Sequence, residues 1–336
     1  MRRFSSPLFV ASLTATFLLA VAPSLEAGKI SLQSGDKQVK VLVDDKPFAT
    51  YLTSSGSKPI IWPIVGPTSV EMTRAYPMQA VEGEKHDHPH QRSFWFTHGD
   101  VNGVDFWSEP ISYKGKTPAG KVLGMINQRE IVRQVATNDK AVIETINDWV
   151  DTTGKKHLED TRRMTFRADG DARSIDFDIT LKATAGDVKF GDTKEGAFGI
   201  RVPTVIDVDP DKSKPRAAGE GGHIVNSEGQ TDKDAWGKAA KWVDYYGPIN
   251  GQVVGIAVLN HPSSFRSPSH WHVRTYGLFA ANPFGLHDFT GKKEIDGSHT
   301  IRSGESIHLR YRVIFHSGDA KAANLEAAFA KYAAEE

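Results

Sequence analysis

The chain has 336 residues, 41 Lys+Arg against 41 Asp+Glu, and no cysteine. Zero formal charge argues against nucleic acid as the partner, because a surface that tracks phosphates carries a basic excess. With 39% hydrophobic and 10% aromatic residues the chain is not a disordered polyelectrolyte. The lack of cysteine excludes disulfides, thiolate metal sites, cysteine nucleophiles and a cysteine-linked lipid anchor.

At the N-terminus, Arg2 and Arg3 precede an apolar run from Leu8 to Ala22. The run is shorter than the about 20 apolar residues of a membrane span and is interrupted by Ser and Thr. It reads as an export signal over residues 1–27, cleaved after Ala27. This predicts a soluble periplasmic or secreted protein with no membrane span once the signal is removed. Residues 28–336 then read as one β-sandwich domain. Gln128–Val135 and Ala141–Val150 form a hairpin across Thr137-Asn138-Asp139-Lys140. Met164–Arg167 is joined through Ala168-Asp169-Gly170-Asp171 to a strand in which Ile175, Phe177, Ile179 and Leu181 alternate with Ser174, Asp176, Asp178 and Thr180. Residues 208–240 are rich in charge, Gly and Ser and read as a long surface excursion, a candidate lid. Val253–Leu259 is continuously apolar, the pattern of a strand buried on both faces. Ile307, Leu309, Tyr311, Val313 and Phe315 alternate with polar residues. Asp319 can cap a closing helix over 319–335, with Leu325, Phe329 and Tyr332 on one face. The predicted fold is all-β: a large antiparallel β-sandwich or supersandwich, galactose-mutarotase-like by analogy, with a C-terminal helix.

Four clusters carry the chemistry-bearing side chains. The first is Glu84-Lys85-His86-Asp87-His88-Pro89-His90-Gln91-Arg92. In an extended segment His86, His88 and His90 would share one face, although Pro89 disfavours a regular strand. Such a group can bind hydroxyls, transfer protons or, through His86 and His88, ligate a divalent metal. It can equally be a polar loop satisfied by backbone groups. The second runs from Ser93 to Trp107, where Trp95 and Trp107 mingle with His98, Asp100 and Asn102. Sugar C–H faces stack on indoles while hydroxyls need paired donors and acceptors, and the same aromatics would also suit a core.

In the third cluster a strand would place His270, His272, Arg274 and Tyr276 on one face and Trp271 and Val273 on the other. That polar face suits an anionic or polyhydroxylated ligand, with Arg274 offering a planar fork of donors to a carboxylate or carbonyl oxygen. The turn at Asn282-Pro283-Phe284-Gly285 can re-aim Asn282. The fourth sets Glu195 between glycines ahead of Arg201, as a general base or an ordinary ion pair at a hairpin tip. No dinucleotide fingerprint, phosphate loop, serine-nucleophile elbow or His-Glu-x-x-His is present.

Long blocks of this sequence resemble a bacterial family of unknown function common in planctomycetes, labelled "methane oxygenase PmoA-like" (DUF6807). They are Gly66-Pro67-Thr68, Thr73–Met78, His86–Ser93, His98–Trp107, Gly191–Gly196, Phe198–Arg201 and Trp271–Gly285, and the likeness spans residues 30 to 318. One departure is Gln91, where the family usually carries His, and this puts any role for that position in doubt. The oxygenase subunit in the label is a multi-span membrane protein, unlike this chain, so the resemblance implies no oxygenase chemistry.

The residues therefore predict a carbohydrate-active enzyme with epimerase- or lyase-like acid–base chemistry. Glu195 would be the base and His88 or His98 the acid. Ligand contacts would come from His86, His90, Arg92, Trp95, Asp100, Asn102, Arg201, His270, His272, Arg274, Tyr276 and Asn282. The partner would be a small molecule or glycan, and this chemistry requires no cofactor. The alternatives are a non-catalytic glycan-binding module and a His-ligated enzyme holding a divalent metal.

Overall fold

The computed structural model describes residue 1 and residues 28–170, 172–209, 220–292 and 294–336. The predicted export signal, Met1 apart, and residues 210–219 of the predicted excursion lie outside the described residues. Two large sheets face one another. The first has eight strands in the order Ile30–Gly35, Gln38–Val43, Lys46–Ser55, Lys58–Ile64, Phe94–His98, Gly196–Arg201, Leu278–Asn282 and His270–Val273. The second has nine: His223–Asn226, Trp242–Ile249, Gln252–Asn260, Ser306–Ser317, Ala172–Lys182, Lys156–Asp169, Lys140–Asp151, Val122–Ala136 and Val104–Asp105. All neighbours are antiparallel except the last pair. Val188–Phe190 and His299–Ile301 form a separate two-stranded pair. The fold is the predicted all-β antiparallel sandwich.

Period-two alternation builds the core. Ile175, Phe177, Ile179 and Leu181 face inward, paired with Val313, Tyr311, Leu309 and Ile307 on the neighbouring strand. Across the gap Phe94, Phe96, Phe198 and Ile200 point back at them. Phe177 links the layers, its ring lying 5.4, 6.2 and 5.6 Å from those of Phe94, Phe96 and Phe198. Loss of such a ring costs about 3–5 kcal/mol.

Within Gln252–Asn260, Val254–Asn260 is buried on both faces, as most of the apolar run predicts, while Val253 is exposed. Val254, Ile256 and Val258 face the core, while Ala257 and Leu259 lie under the C-terminal helix with Leu325 and Tyr332. That helix is shorter than predicted, Leu325–Ala333. Asp319 instead caps a preceding turn through the Ala322 N–H, and Asn324 is left-handed at φ 49°. The excursion is partly structural: His223–Asn226 pairs with Trp242–Ile249, and a 3-10 turn over Asp232–Ala235 delivers Trp236 to the other sheet. Among the described residues no helix is long and apolar enough to cross a membrane.

Candidate functional site

The face of the eight-stranded sheet turned away from the core carries the candidate site. Register puts Ile60, Trp95, Gly199, Ala280 and His272 in one row across five strands. Trp95 lies over Gly199, where a Cβ would come within 2.6 Å of its ring, so only glycine admits the indole there. Trp107 packs on Trp95 at 5.4 Å, and both are buried. On the same face, Arg201 is fully buried yet reaches Gln91 Oε1 at 2.5 Å and Asp87 at 2.9 Å.

Above the floor the side chains close a ring. His88 stacks on Tyr276 at 5.0 Å. The Arg274 guanidinium lies 5.5 Å from the Tyr276 ring and 5.8 Å from the Trp236 ring. Trp236 meets His272 edge-on at 6.3 Å. His272 Nδ1 donates to Lys194 O at 2.9 Å, next to Glu195, and Glu195 and His88 feel each other's charge. Burial lowers the His272 imidazole to about 3, so it is neutral, with Nε2 as an acceptor that no side chain holds.

Glu195 is rigid in its backbone and free at its tip. Gly99 donates to Glu195 O at 2.7 Å, Asn282 Nδ2 to Thr193 O at 2.9 Å, and the Lys194 N–H to Asp288 at 3.0 Å. Among the described residues the Glu195 carboxylate receives no hydrogen bond, and its one ion-pair partner is Lys194 at 3.9 Å; its side chain is 41% exposed. Burial pushes this carboxyl up. Asp87 is the opposite case. Burial favours its neutral form, but His88 and the Arg201 and Arg74 charges outweigh burial and hold it well below the usual carboxylate range. His88 Nδ1 lies 3.0 Å from Asp87 Oδ2, which leaves Nε2 as the free ring nitrogen.

Several predicted residues are placed elsewhere. His98 shares the parity of Phe94 and Phe96, so it points to the core side, buried between Phe190 and Phe284 with Nε2 on Gly191 O. Burial lowers it to about 4. Asp100 and Asn102 organise the turn at Gly103 and brace residues 187–189. Arg92 is spent on Glu109, which also holds buried Lys58. Asn282 braces the Glu195 loop rather than facing the ring. His270 stacks on Phe289 at 6.0 Å. Residues 84–92 form no strand and His88 sits at φ 41°, so the extended-segment expectation fails. His86 turns to Tyr76 at 4.4 Å, away from His88. His90 stays beside the site, bonded to Ser112 at 2.9 Å and 6.1 Å from the Trp107 ring. Among the described residues no group of three or more His, Cys, Asp or Glu is arranged to hold a metal ion.

Residues 38–330 match the model of a family of unknown function (DUF6807). The chain belongs to this family. A search of the curated proteins finds no match. Similar solved structures include a GH36 alpha-galactosidase from Geobacillus stearothermophilus, at 11% identity and TM-score 0.37, over 87% of this chain and 41% of that one. The chain thus spans less than half the length of that galactosidase. They also include a galactose mutarotase related enzyme from Lactobacillus acidophilus, at 9% identity and TM-score 0.35, over 86% and 97% of the two chains. A galactose mutarotase-like protein from Clostridium acetobutylicum matches at 8% identity and TM-score 0.37, over 87% and 99%.

Within the family blocks, the site draws on two residues to which sequence reasoning gave no role. Asp87 becomes the shared acceptor of two buried arginines and the partner of His88. Gln91 positions Arg201, whose Nη1 donates to its Oε1 at 2.5 Å. Trp236 lies outside those blocks in the excursion, and nothing local in the sequence ties it to Arg274.

Proposed function

We propose that this protein is a carbohydrate-active enzyme that moves a proton on a sugar, with Glu195 as base and His88 as acid. The observation that carries the reading is Glu195, a carboxylate without a hydrogen-bond donor, pushed up by burial on a braced loop, facing a site that also holds His88. A base must be desolvated enough to want a proton and unpaired enough to take one. Asp87, kept ionised, orients the His88 ring through Nδ1 and leaves Nε2 for the ligand. Glu195 would take a proton from a carbon next to a carbonyl, leaving an enolate oxygen that accepts a proton from His88. Delivery of a proton to the opposite face of that carbon, with His88 taking back the enol proton, gives the epimer; delivery to the neighbouring carbon, with His88 taking the proton of the hydroxyl there, gives the isomer, and neither changes the proton count. The half-buried Tyr276 ring supplies flat apolar surface at the site, which suits the C–H face of a sugar. The chemistry needs no cofactor, and export through residues 1–27 is part of the proposal.

The test is proton NMR in deuterium oxide with a panel of aldoses, ketoses and sugar acids. The wild-type protein is expected to catalyse deuterium incorporation at one carbon or interconversion of two epimers. Glu195→Gln should lower that rate about 10²–10⁴-fold. Saturable sugar binding without exchange or interconversion would reject the enzyme and leave the glycan-binding module.

A further inference from the structure

The geometry points to a carboxylated sugar as the ligand of this site, its carboxylate paired in a bidentate fashion with Arg274. The inference rests on the sugar-binding reading above and narrows it to acidic sugars. Arginines among the described residues are almost all spent on acids or carbonyls. Of these, only the side chains of Arg274 and Arg302 make neither a hydrogen bond nor an ion pair, and Arg302 is exposed at the surface. Arg274 is half-buried and held between two aromatic rings, Trp236 and Tyr276. Contact with those rings favours the cation and limits its motion. Ring faces accept no in-plane N–H, so its edge donors remain for a ligand.

The surroundings agree. Lys233, Trp236, Val273, Arg274 and Thr275 line a cleft of about 230 Å³. Lys233 is a second cation there and has no partner among the described residues. No acid lines the cleft, and Asp209, next in the network, is engaged by the Thr275 hydroxyl. The Trp236 indole N–H is buried without an acceptor. Asp232 and Asp234 on the adjoining turn make this a poor place for a doubly charged phosphate, whereas one carboxylate matches one guanidinium fork. A neutral sugar would leave the Arg274 charge uncompensated. Through the Tyr276 ring this anion anchor connects to His88, so a carboxylate on Arg274 would place the rest of the sugar toward His88 and Glu195.

The experiment is calorimetric titration of the wild-type protein with glucuronate and galacturonate and their methyl glycosides. Glucose, galactose, the corresponding sugar phosphates and plain acetate are titrated alongside. The expected result is saturable binding of at least one uronate and, against it, weak binding of its neutral counterpart. Arg274→Gln should weaken uronate binding about 10- to 100-fold and leave neutral-sugar binding unchanged. Arg274→Lys should recover part of the loss, since it keeps the charge and loses the fork. Among the described residues Arg274 makes ring contacts but no side-chain hydrogen bond or ion pair, so both variants should stay folded, with at most a small fall in melting temperature. Equal affinity for acidic and neutral sugars, tighter binding of a sugar phosphate, or an unchanged preference in Arg274→Gln would overturn the inference, as would no uronate binding at millimolar concentration. The Glu195→Gln variant separates this from the catalytic reading. If uronate binds through Arg274 but Glu195→Gln changes no reaction, the acid–base assignment fails and the anion anchor stands.

Discussion

The outer faces of the two sheets use the same residue types to opposite ends. On the nine-stranded sheet a groove of about 740 Å³ is lined by charge, yet its arginines meet acids. Arg310 reaches Asp178 at 3.1 Å, Arg312 reaches Asp176 at 2.5 Å and Glu335 at 2.8 Å, and Arg167 also pairs with Asp176. Three of those pairs tie strand to strand, and Arg312–Glu335 ties the segment after the C-terminal helix to the sheet. On the eight-stranded sheet, among the described residues, Arg274 and His272 Nε2 have no such partners and the Glu195 carboxylate has only Lys194 at 3.9 Å. Leaving polar groups unpaired in a partly desolvated place costs free energy, and the cost is recovered when a ligand pairs them. The count of His, Arg and Glu therefore does not distinguish a site from a scaffold. What distinguishes them is whether the hydrogen-bonding valence is already used.

Substitutions on the two faces should behave differently. The largest effect belongs to Glu195→Gln, with turnover down about 10²–10⁴-fold and the fold intact. The sign of its stability effect follows from linkage. A carboxyl whose folded pKa is raised supports the fold at low pH and loses that support as pH rises through the folded value. Glu195→Gln should therefore melt at or above the wild-type temperature at pH 7, with the gap closing toward pH 4. A lower melting temperature at pH 7 would make Glu195 a structural residue.

Next in size is Glu109→Gln. Lys58 and Arg92 converge on this carboxylate at 2.7 and 2.8 Å, and Lys58 is fully buried. Breaking such a pair leaves a buried cation uncompensated and should cost about 3–5 kcal/mol in urea unfolding. Asp176→Asn should cost about 2 kcal/mol, less because Arg312 keeps Glu335. It should leave sugar binding at wild-type affinity, and a loss of binding there would move the ligand to the other sheet.

Alternation made much of this architecture legible. It identified the strands at 174–181 and 307–315, which pair with each other in register, because one side of each meets the core. Parity also carried a signal that the functional grouping of His98 overrode, since a strand that buries Phe94 and Phe96 buries His98 as well. The third cluster converged for a different reason from the one predicted. The strand ends at Val273, and Arg274 and Tyr276 return to the face through a tight turn in which the Gly277 N–H donates to Arg274 O at 3.0 Å. Gly277 sits at φ 100°, a backbone that side chains rarely adopt. The Arg74–Asp87–Arg201 bridge and the Trp236–Arg274 contact join segments remote in the chain. Neither periodicity nor spacing encodes such contacts.

The smallest effect tests the scaffold against pH rather than by truncation. His316 and Asp244 are buried on the nine-stranded sheet, 3.0 Å apart. Burial pulls the His316 ring down, but the hydrogen bond and charge of Asp244 outweigh it, so the net shift is upward. A histidine raised on folding contributes stability that is fully present below its unfolded pKa, near 6.5, and is lost as pH rises through the folded value. Glu109 works in the other direction. Burial raises its carboxyl, the Lys58 and Arg92 charges outweigh burial and set it at about 2, and its contribution disappears as pH falls from the ordinary carboxyl range toward that value. Melting temperature should therefore fall at both ends. The alkaline fall should flatten in Asp244→Asn while the acid fall is kept, and Glu109→Gln should flatten the acid fall alone. An alkaline slope that survives in Asp244→Asn would remove His316 as its origin.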